Sequence, residues 1–239
     1  MKIAVVGATG HAGLQVAEQA LARGDDVIAL ARHPEALPRL GPGMVSAAAD
    51  VLDRAVLTEA LAGAGAVVST LGIGASRQPT VVYSDGIANV LHAMDAHTIR
   101  KLAVISAVPA GPRAEQPFLQ RRMIIPILER VFGATYADMR RMEALLRGSD
   151  LDWVCLRPPR LISKKPTGRY RLDASRPLPK ASSITYADLA TALLDSLSRP
   201  DLYRRAAYVA SRRPGPGRLP MAAADAGLLD AVAAAGDGR

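Results

Sequence analysis

Short apolar runs alternate with amphipathic stretches along the first hundred residues. Lys2–Val6, Val27–Ala31, Met44–Ala48, Ala66–Thr70 and Lys101–Ile105 each read as a strand. Between them, stretches near Gly13–Arg23, Arg54–Leu61 and Val82–Ala96 repeat apolar residues at helical spacing. Strands that are apolar nearly throughout are buried on both faces. The pattern therefore predicts an α/β fold, with a doubly wound, mostly parallel sheet and helices on both faces.

The second half is less regular. Val108–Pro117 reads as a Pro/Gly-containing loop, and Phe118–Phe132 has helical spacing interrupted by Pro126. Tyr136–Arg147 is a clearer helix, closed by Gly148. Leu151–Leu156 is a strand that Arg157-Pro158-Pro159 ends abruptly. Residues 160–183 read as loop with one short strand around Arg169–Leu172. Ile184–Leu197 is a helix with Thr185 as its N-cap, and Ala206–Ala210 closes the sheet. These elements give one domain over 1–211, its substrate region mainly in 107–183. Residues 212–239, rich in Ala, Gly and Asp, are expected to form a flexible tail with a loose helix at Met221–Ala234.

Composition narrows the picture. The 239 residues suit one large α/β domain, and 49% apolar with 22% charged residues argues against wholesale disorder. Aromatics at 4% leave the core to Ala, Val, Leu and Ile. No apolar stretch approaches the roughly 20 residues that span a bilayer, and the first residues are strand-like with no leader pattern. Cytoplasmic localisation is the expectation. The lone Cys155 excludes an intrachain disulfide and a multi-cysteine metal site, and lies in an apolar strand as a small core residue. His11, His33, His92 and His97 have no metal-ligand spacing. The Met123–Leu128 run reads as a core or lid helix rather than a membrane contact.

The net charge of +8 is concentrated in the second half: the first 105 residues hold 8 basic and 9 acidic side chains, the rest 22 and 13. Of the 30 basic residues 25 are Arg, whose forked donors suit anions. No compact basic run is interleaved with aromatics, so a small-molecule substrate is expected rather than a nucleic acid or a membrane. The expected assembly is a monomer or small homo-oligomer.

The most informative motif stands between the first strand and the first helix: Gly7-Ala8-Thr9-Gly10-His11-Ala12-Gly13. In this G-x-x-G-x-x-G spacing Gly7 permits the tight turn, Gly10 lets backbone approach a pyrophosphate, and Gly13 lets the helix pack closely on the strand. The helix N-terminus then offers unpaired N–H groups and a positive dipole end to phosphates. At the end of the second strand, where an NAD site offers a carboxylate to the ribose 2′-hydroxyl, this chain has Ala31-Arg32-His33. Arg32 suits a 2′-phosphate, which favours NADP(H) over NAD(H); otherwise it is a solvated strand-end residue. Asp50, after the third strand, either accepts from the adenine amino group or caps the following turn.

These residues, together with Asp50-Val51-Leu52-Asp53, Ser84-Asp85-Gly86-Ile87-Ala88-Asn89 and Arg157-Pro158-Pro159, resemble the atypical short-chain dehydrogenase/reductases. The closest branch is the NmrA-like group that includes biliverdin-IXβ reductase, also a flavin reductase. The resemblance covers about residues 1–210, except that 107–135 is longer here and has no counterpart to carry over. It implies a Rossmann fold with NADPH at the glycine turn and a substrate over the nicotinamide. Gly7, Thr9, Gly10, His11 and Gly13 would then form the phosphate loop, with Arg32 at the 2′-phosphate. Asp50 and Val51 would flank the adenine, and Leu71 and Gly72 would lie by the ribose. Ser106 matches the family's active-site serine, and Pro158 and Pro159 would line the nicotinamide pocket.

One departure bears on chemistry. The better-known members use Tyr-x-x-x-Lys, whereas Tyr136-Ala-Asp-Met-Arg140 keeps the spacing with a different cation. Arg140 stabilises a tyrosinate but does not relay a proton. Reducing a ketone needs an acid beside the forming alkoxide, while a conjugated acceptor delocalises its charge and takes a proton from solvent. Hydride transfer to a flavin, tetrapyrrole or quinone is therefore the leading expectation, with Ser106 and Tyr136 as the candidate catalytic residues. A non-catalytic NADP-sensing regulator is the alternative, and an epimerase or dehydratase the third.

Overall fold

The five apolar runs of the first half fold as Lys2–Val6 (β1), Asp26–Ala31 (β2), Met44–Ala48 (β3), Ala66–Ser69 (β4) and Lys101–Ile105 (β5). The computed structural model describes residues 1–212 apart from Ala75, Arg77 and Leu119. The expected tail beyond Arg212, with its expected helix at Met221–Ala234, lies outside the described residues. Asp152–Arg157 (β6), Tyr170–Asp173 (β8) and Arg205–Ser211 (β10) complete an eight-stranded sheet of order β3-β2-β1-β4-β5-β6-β10-β8. All neighbours pair in parallel except β8, which runs antiparallel to β10 at the edge.

Both faces are covered, as the continuous apolar strands require. His11–Ala22 (α1) and Tyr186–Ser196 (α5) pack on the face carrying Ile3, Val5, Val27 and Val154. Arg54–Ala60 (α2), Ser84–Ala96 (α3) and Ile125–Arg147 (α4) pack on the face carrying Ala4, Val6, Leu102 and Trp153. The chain winds outward from β1 to β3, returns to β4 beside β1, and continues the other way. This reversal opens a crevice at the carboxyl ends of β1 and β4, where the glycine loop lies. The architecture is a single Rossmann-like domain.

Two expectations are corrected. The segments 118–132 and 136–147 belong largely to one helix, α4, whose backbone departs from helical angles at Phe132 (φ −125°, ψ 21°). Pro126 does not interrupt it because it stands in the first turn, where its missing N–H has no partner to lose. A π turn, Gln120–Ile124, leads in. Residues 160–183 are also less irregular than expected. Arg160–Ile162 (β7) pairs in parallel with Ser183–Thr185 (β9), in addition to β8. Hence α5 starts at Tyr186 rather than Ile184, with the Thr185 side chain accepting from Asp188 N as the expected cap.

The first turn of α3 is capped from another helix. The amides of Tyr83 and Ser84 donate to Asp138 Oδ2 at 2.9 and 3.4 Å. Asp138 lies fully buried in α4, and its other oxygen accepts from Arg141. Among the described residues no helix is long and apolar enough to cross a membrane, and no three or more His, Cys, Asp or Glu group as metal ligands.

Candidate active site

The glycine loop is held open at the start of α1. Gly7 adopts φ +83°, and the amides of Gly7 and Ala8 both donate to Leu30 O at 3.1 Å, which ties the turn to β2. Thr70, following β4, clamps it from the other side through bonds to the carbonyls of Val6 and Gly7. A Cβ on Gly13 would stand 2.3 Å from Gly7 O, so only glycine fits there. A Cβ on Gly10 would meet only that same oxygen, at 3.4 Å, and would extend into open space. The amides of His11, Ala12 and Gly13 have no backbone acceptor among the described residues. These orphan donors at a helix N-terminus fit a phosphate group. Thr9 and His11 are exposed at the rim, and His11 stacks on Tyr186 of α5 with ring centroids 5.1 Å apart.

Along the crevice, Arg32 is exposed at the end of β2, and the nearby Glu35 carboxylate is turned to His33 at 3.1 Å. Asp50 accepts from Leu52 N at 3.0 Å, so one oxygen caps the turn while the side chain stays exposed. Val51 is buried, and its carbonyl accepts from Asn89 Nδ2, which α3 supplies. Asn89 in turn accepts from Arg54 Nε at 3.0 Å. Leu71 is half-buried against α3, and Gly72 has open space beside it.

Ser106 follows β5, two strands from β1 and so roughly 10 Å across the sheet. Its hydroxyl donates to Glu143 Oε1 at 2.8 Å. Glu143, on α4, also accepts from Arg157 Nε and Nη2 at 3.0 and 2.6 Å and from Arg147 Nη2 at 2.9 Å. The Glu143 and Arg157 side chains are only 3% and 5% exposed, so this is a buried, doubly hydrogen-bonded ion pair. Burial works against the Arg157 charge, but the bonds and charge of Glu143 prevail and hold its pKa above the ordinary value. Beyond Arg157, Tyr208 of β10 accepts from Arg157 and Gln116 and donates to Glu115. Buried Cys155 lies beside this network, its thiol pushed well up by burial.

Among the described residues, Tyr136 and Arg140 share no hydrogen bond. Arg140 Nη1 donates to Pro109 O at 3.2 Å and faces Glu129 at 3.4 Å. Tyr136 is half-buried, edge-on to Phe132, and burial pushes its phenol pKa up. It stands mid-helix rather than at a helix start. Pro158 is buried at the end of β6 and its carbonyl accepts from Val108 N, anchoring the loop after Ser106; Pro159 is half-buried beside it.

Sequence reasoning missed Glu143, Thr70, Tyr186 and Asp188. Asp188, buried at the start of α5, accepts from Thr167 N, Gly168 N and Ser211 and fixes the 167–168 turn. Acidic residues on amphipathic helices read as solvated. The available signal for Glu143 was Arg157, a guanidinium closing an apolar strand that demands a buried counter-charge.

Strand order, glycine loop and orphan amides together define a dinucleotide-binding protein of the Rossmann class. The chain belongs to the NAD(P)H-binding family, whose model matches residues 7–200. It is 26% identical over 207 residues to the uncharacterized protein YwnB of Bacillus subtilis, covering 84% of this chain and 94% of that one. Among solved structures it is similar to ChuY, an anaerobilin reductase from Escherichia coli O157:H7, at 21% identity and TM-score 0.71, covering 91% of this chain and 100% of that one. A short-chain dehydrogenase/reductase from Veillonella parvula, solved with NADP, shares the fold at 15% identity and TM-score 0.74, over 89% of this chain and 95% of that one. Oxidoreductases of this fold thus stand among its structural neighbours.

Proposed function

We propose that the protein is an NADPH-dependent reductase of conjugated small molecules such as a flavin, a linear tetrapyrrole or a quinone. One observation supports the reading: among the described residues, no hydrogen bond links Ser106 to Tyr136 or Tyr136 to Arg140. The single Ser106 hydrogen is committed to Glu143. Glu143 accepts from two arginines, Arg147 and Arg157. The Tyr136 phenol is pushed up, with Arg140 turned away to Glu129. A ketone would leave an alkoxide here with no acid to meet it, whereas a reduced flavin or tetrapyrrole spreads its charge and is protonated by water.

When bound, NADPH supplies the hydride. Gly7, Thr9, Gly10, His11 and Gly13 would hold its pyrophosphate on the orphan amides of α1, with Arg32 on the 2′-phosphate. Asp50 and Val51 would border the adenine, and Leu71 and Gly72 the ribose. Pro158 and Pro159 would back the nicotinamide. Ser106, buried with its hydrogen on Glu143, would stand in the wall behind the nicotinamide and help orient the ring. The anaerobilin reductase among the similar folds supports including an open-chain tetrapyrrole among the acceptors. A small-molecule substrate, a cytoplasmic site of action and a monomeric or small homo-oligomeric state belong to the same proposal.

The test is steady-state oxidation of NADPH, followed by nicotinamide absorbance, with FMN, riboflavin, a quinone and a linear tetrapyrrole. Turnover with at least one, preferring NADPH to NADH, is the expected result. The hydrogen bond that ties Ser106 to Glu143 also favours a second reading, an NADP-sensing regulator. Tight NADP(H) binding with no turnover across the whole panel would overturn the reductase and favour the sensor.

A further inference from the structure

The loop after Ser106 and the helix α4 line an open cavity of about 330 Å³ that reaches Glu143. Its charged lining is Arg113, Arg140, Arg147, Glu129 and Glu143. Arg113 and Arg140 share one carboxylate, Glu129, at the long distances of 3.5 and 3.4 Å. Arg147 shares Glu143 with Arg157, which already neutralises that carboxylate from the buried side. Three guanidiniums therefore converge on a space whose two carboxylates are each divided between two cations. The remaining wall is apolar, built from Pro109, Pro112 and Ile125.

We propose that this cavity binds a compact organic anion, a carboxylate or phosphate carried on a small apolar body. The anion would displace Glu129 as the partner of Arg113 and Arg140 and present forked oxygens to donors now held only loosely. Its apolar part would lie on Pro109, Pro112 and Ile125. Two sources share this chemistry: an acidic substituent of the hydride acceptor itself, or a separate small molecule. The first source rests on the reductase reading; the site does not.

Calorimetric titration of benzoate and inorganic phosphate into the cofactor-free protein tests the site without any turnover. Benzoate should bind saturably, more tightly than phosphate, and more weakly as salt is raised. Arg113→Ala and Arg140→Ala should each weaken it about tenfold, the worth of one charge-assisted hydrogen bond. Glu129→Gln, nearly isosteric, should tighten it severalfold because it removes the competing carboxylate; a purely structural ion pair would show no such gain. Arg113 lies in an exposed turn, so its truncation leaves the core intact, and thermal melts confirm folding. Absence of saturable benzoate binding, or binding unchanged in both Arg113→Ala and Glu129→Gln, would overturn the proposal. A preference for FMN over riboflavin that Arg113→Ala abolishes assigns the site to the acceptor. Benzoate binding with no such preference assigns it to a separate ligand.

Discussion

Gly10 and Gly13 lie three residues apart and answer to different constraints. Any Cβ at 13 collides with backbone, so Gly13→Ala should cost about 1–3 kcal/mol of stability, in the range of an overpacked core, read by denaturant unfolding. At 10 the side chain would extend outward, so Gly10→Val should fold with little change in melting temperature and lose NADPH binding. Arg32→Ala should weaken NADPH by about ten- to a hundredfold and leave NADH nearly untouched, since only the 2′-phosphate is affected. Equal weakening of both would remove Arg32 from that role. For chemistry, Ser106→Ala and Tyr136→Phe should each lower turnover by only about tenfold, against the 10²–10⁴-fold typical of an obligatory acid. A thousandfold loss on Tyr136→Phe would restore the tyrosine as a working donor.

Among the elements, α4 carries the least legible structure and a buried ion pair to β6. The crossover units of the first half were readable because each strand is apolar throughout and each helix has one apolar stripe. The glycine loop was readable because its spacing falls between a strand and a helix. By contrast α4 passes Pro126 and bends at Phe132, and its buried acids Asp138 and Glu143 have partners on α3 and β6 that no local pattern announces. In Tyr-x-x-x-Arg the spacing alone likewise gives no sign that Arg140 pairs with Glu129. Removing Glu143 leaves a guanidinium buried with no full counter-charge. Glu143→Ala should therefore destabilise by roughly 3–5 kcal/mol, whereas Arg157→Met should cost less, because Glu143 keeps Arg147 as a partner at 2.9 Å. Paired chemical denaturation curves decide this.

For the molecule as a whole, the tyrosines set its behaviour in alkali. Burial raises the phenol pKa of Tyr83 and Tyr136 above 10.0, and burial with donation to Asp195 pushes Tyr170 up to about 12. A folded-state pKa above the unfolded value means that the native form holds its protons longer. This contribution is complete below pH 10 and is lost as pH rises through the folded values. Melting temperature should therefore fall between about pH 10 and 12, and Tyr170→Phe should fall less steeply across that window. The charge distribution adds a polarity, with a near-neutral glycine-loop half joined to a strongly basic half that holds the arginine-lined cavity.

The contact between Asp138 and the start of α3 has a consequence for how the chain acquires its structure. The cap comes from 55 residues further along the sequence. During synthesis the amide of Tyr83 is made long before its acceptor exists, and it stays open to water until α4 swings down onto α3. Satisfying the Tyr83 amide is therefore coupled to the docking of α4. In hydrogen exchange on the finished protein, the Tyr83 amide should open together with α4 rather than with the turns of α3 that follow it, so a single proton reports the detachment of a whole helix.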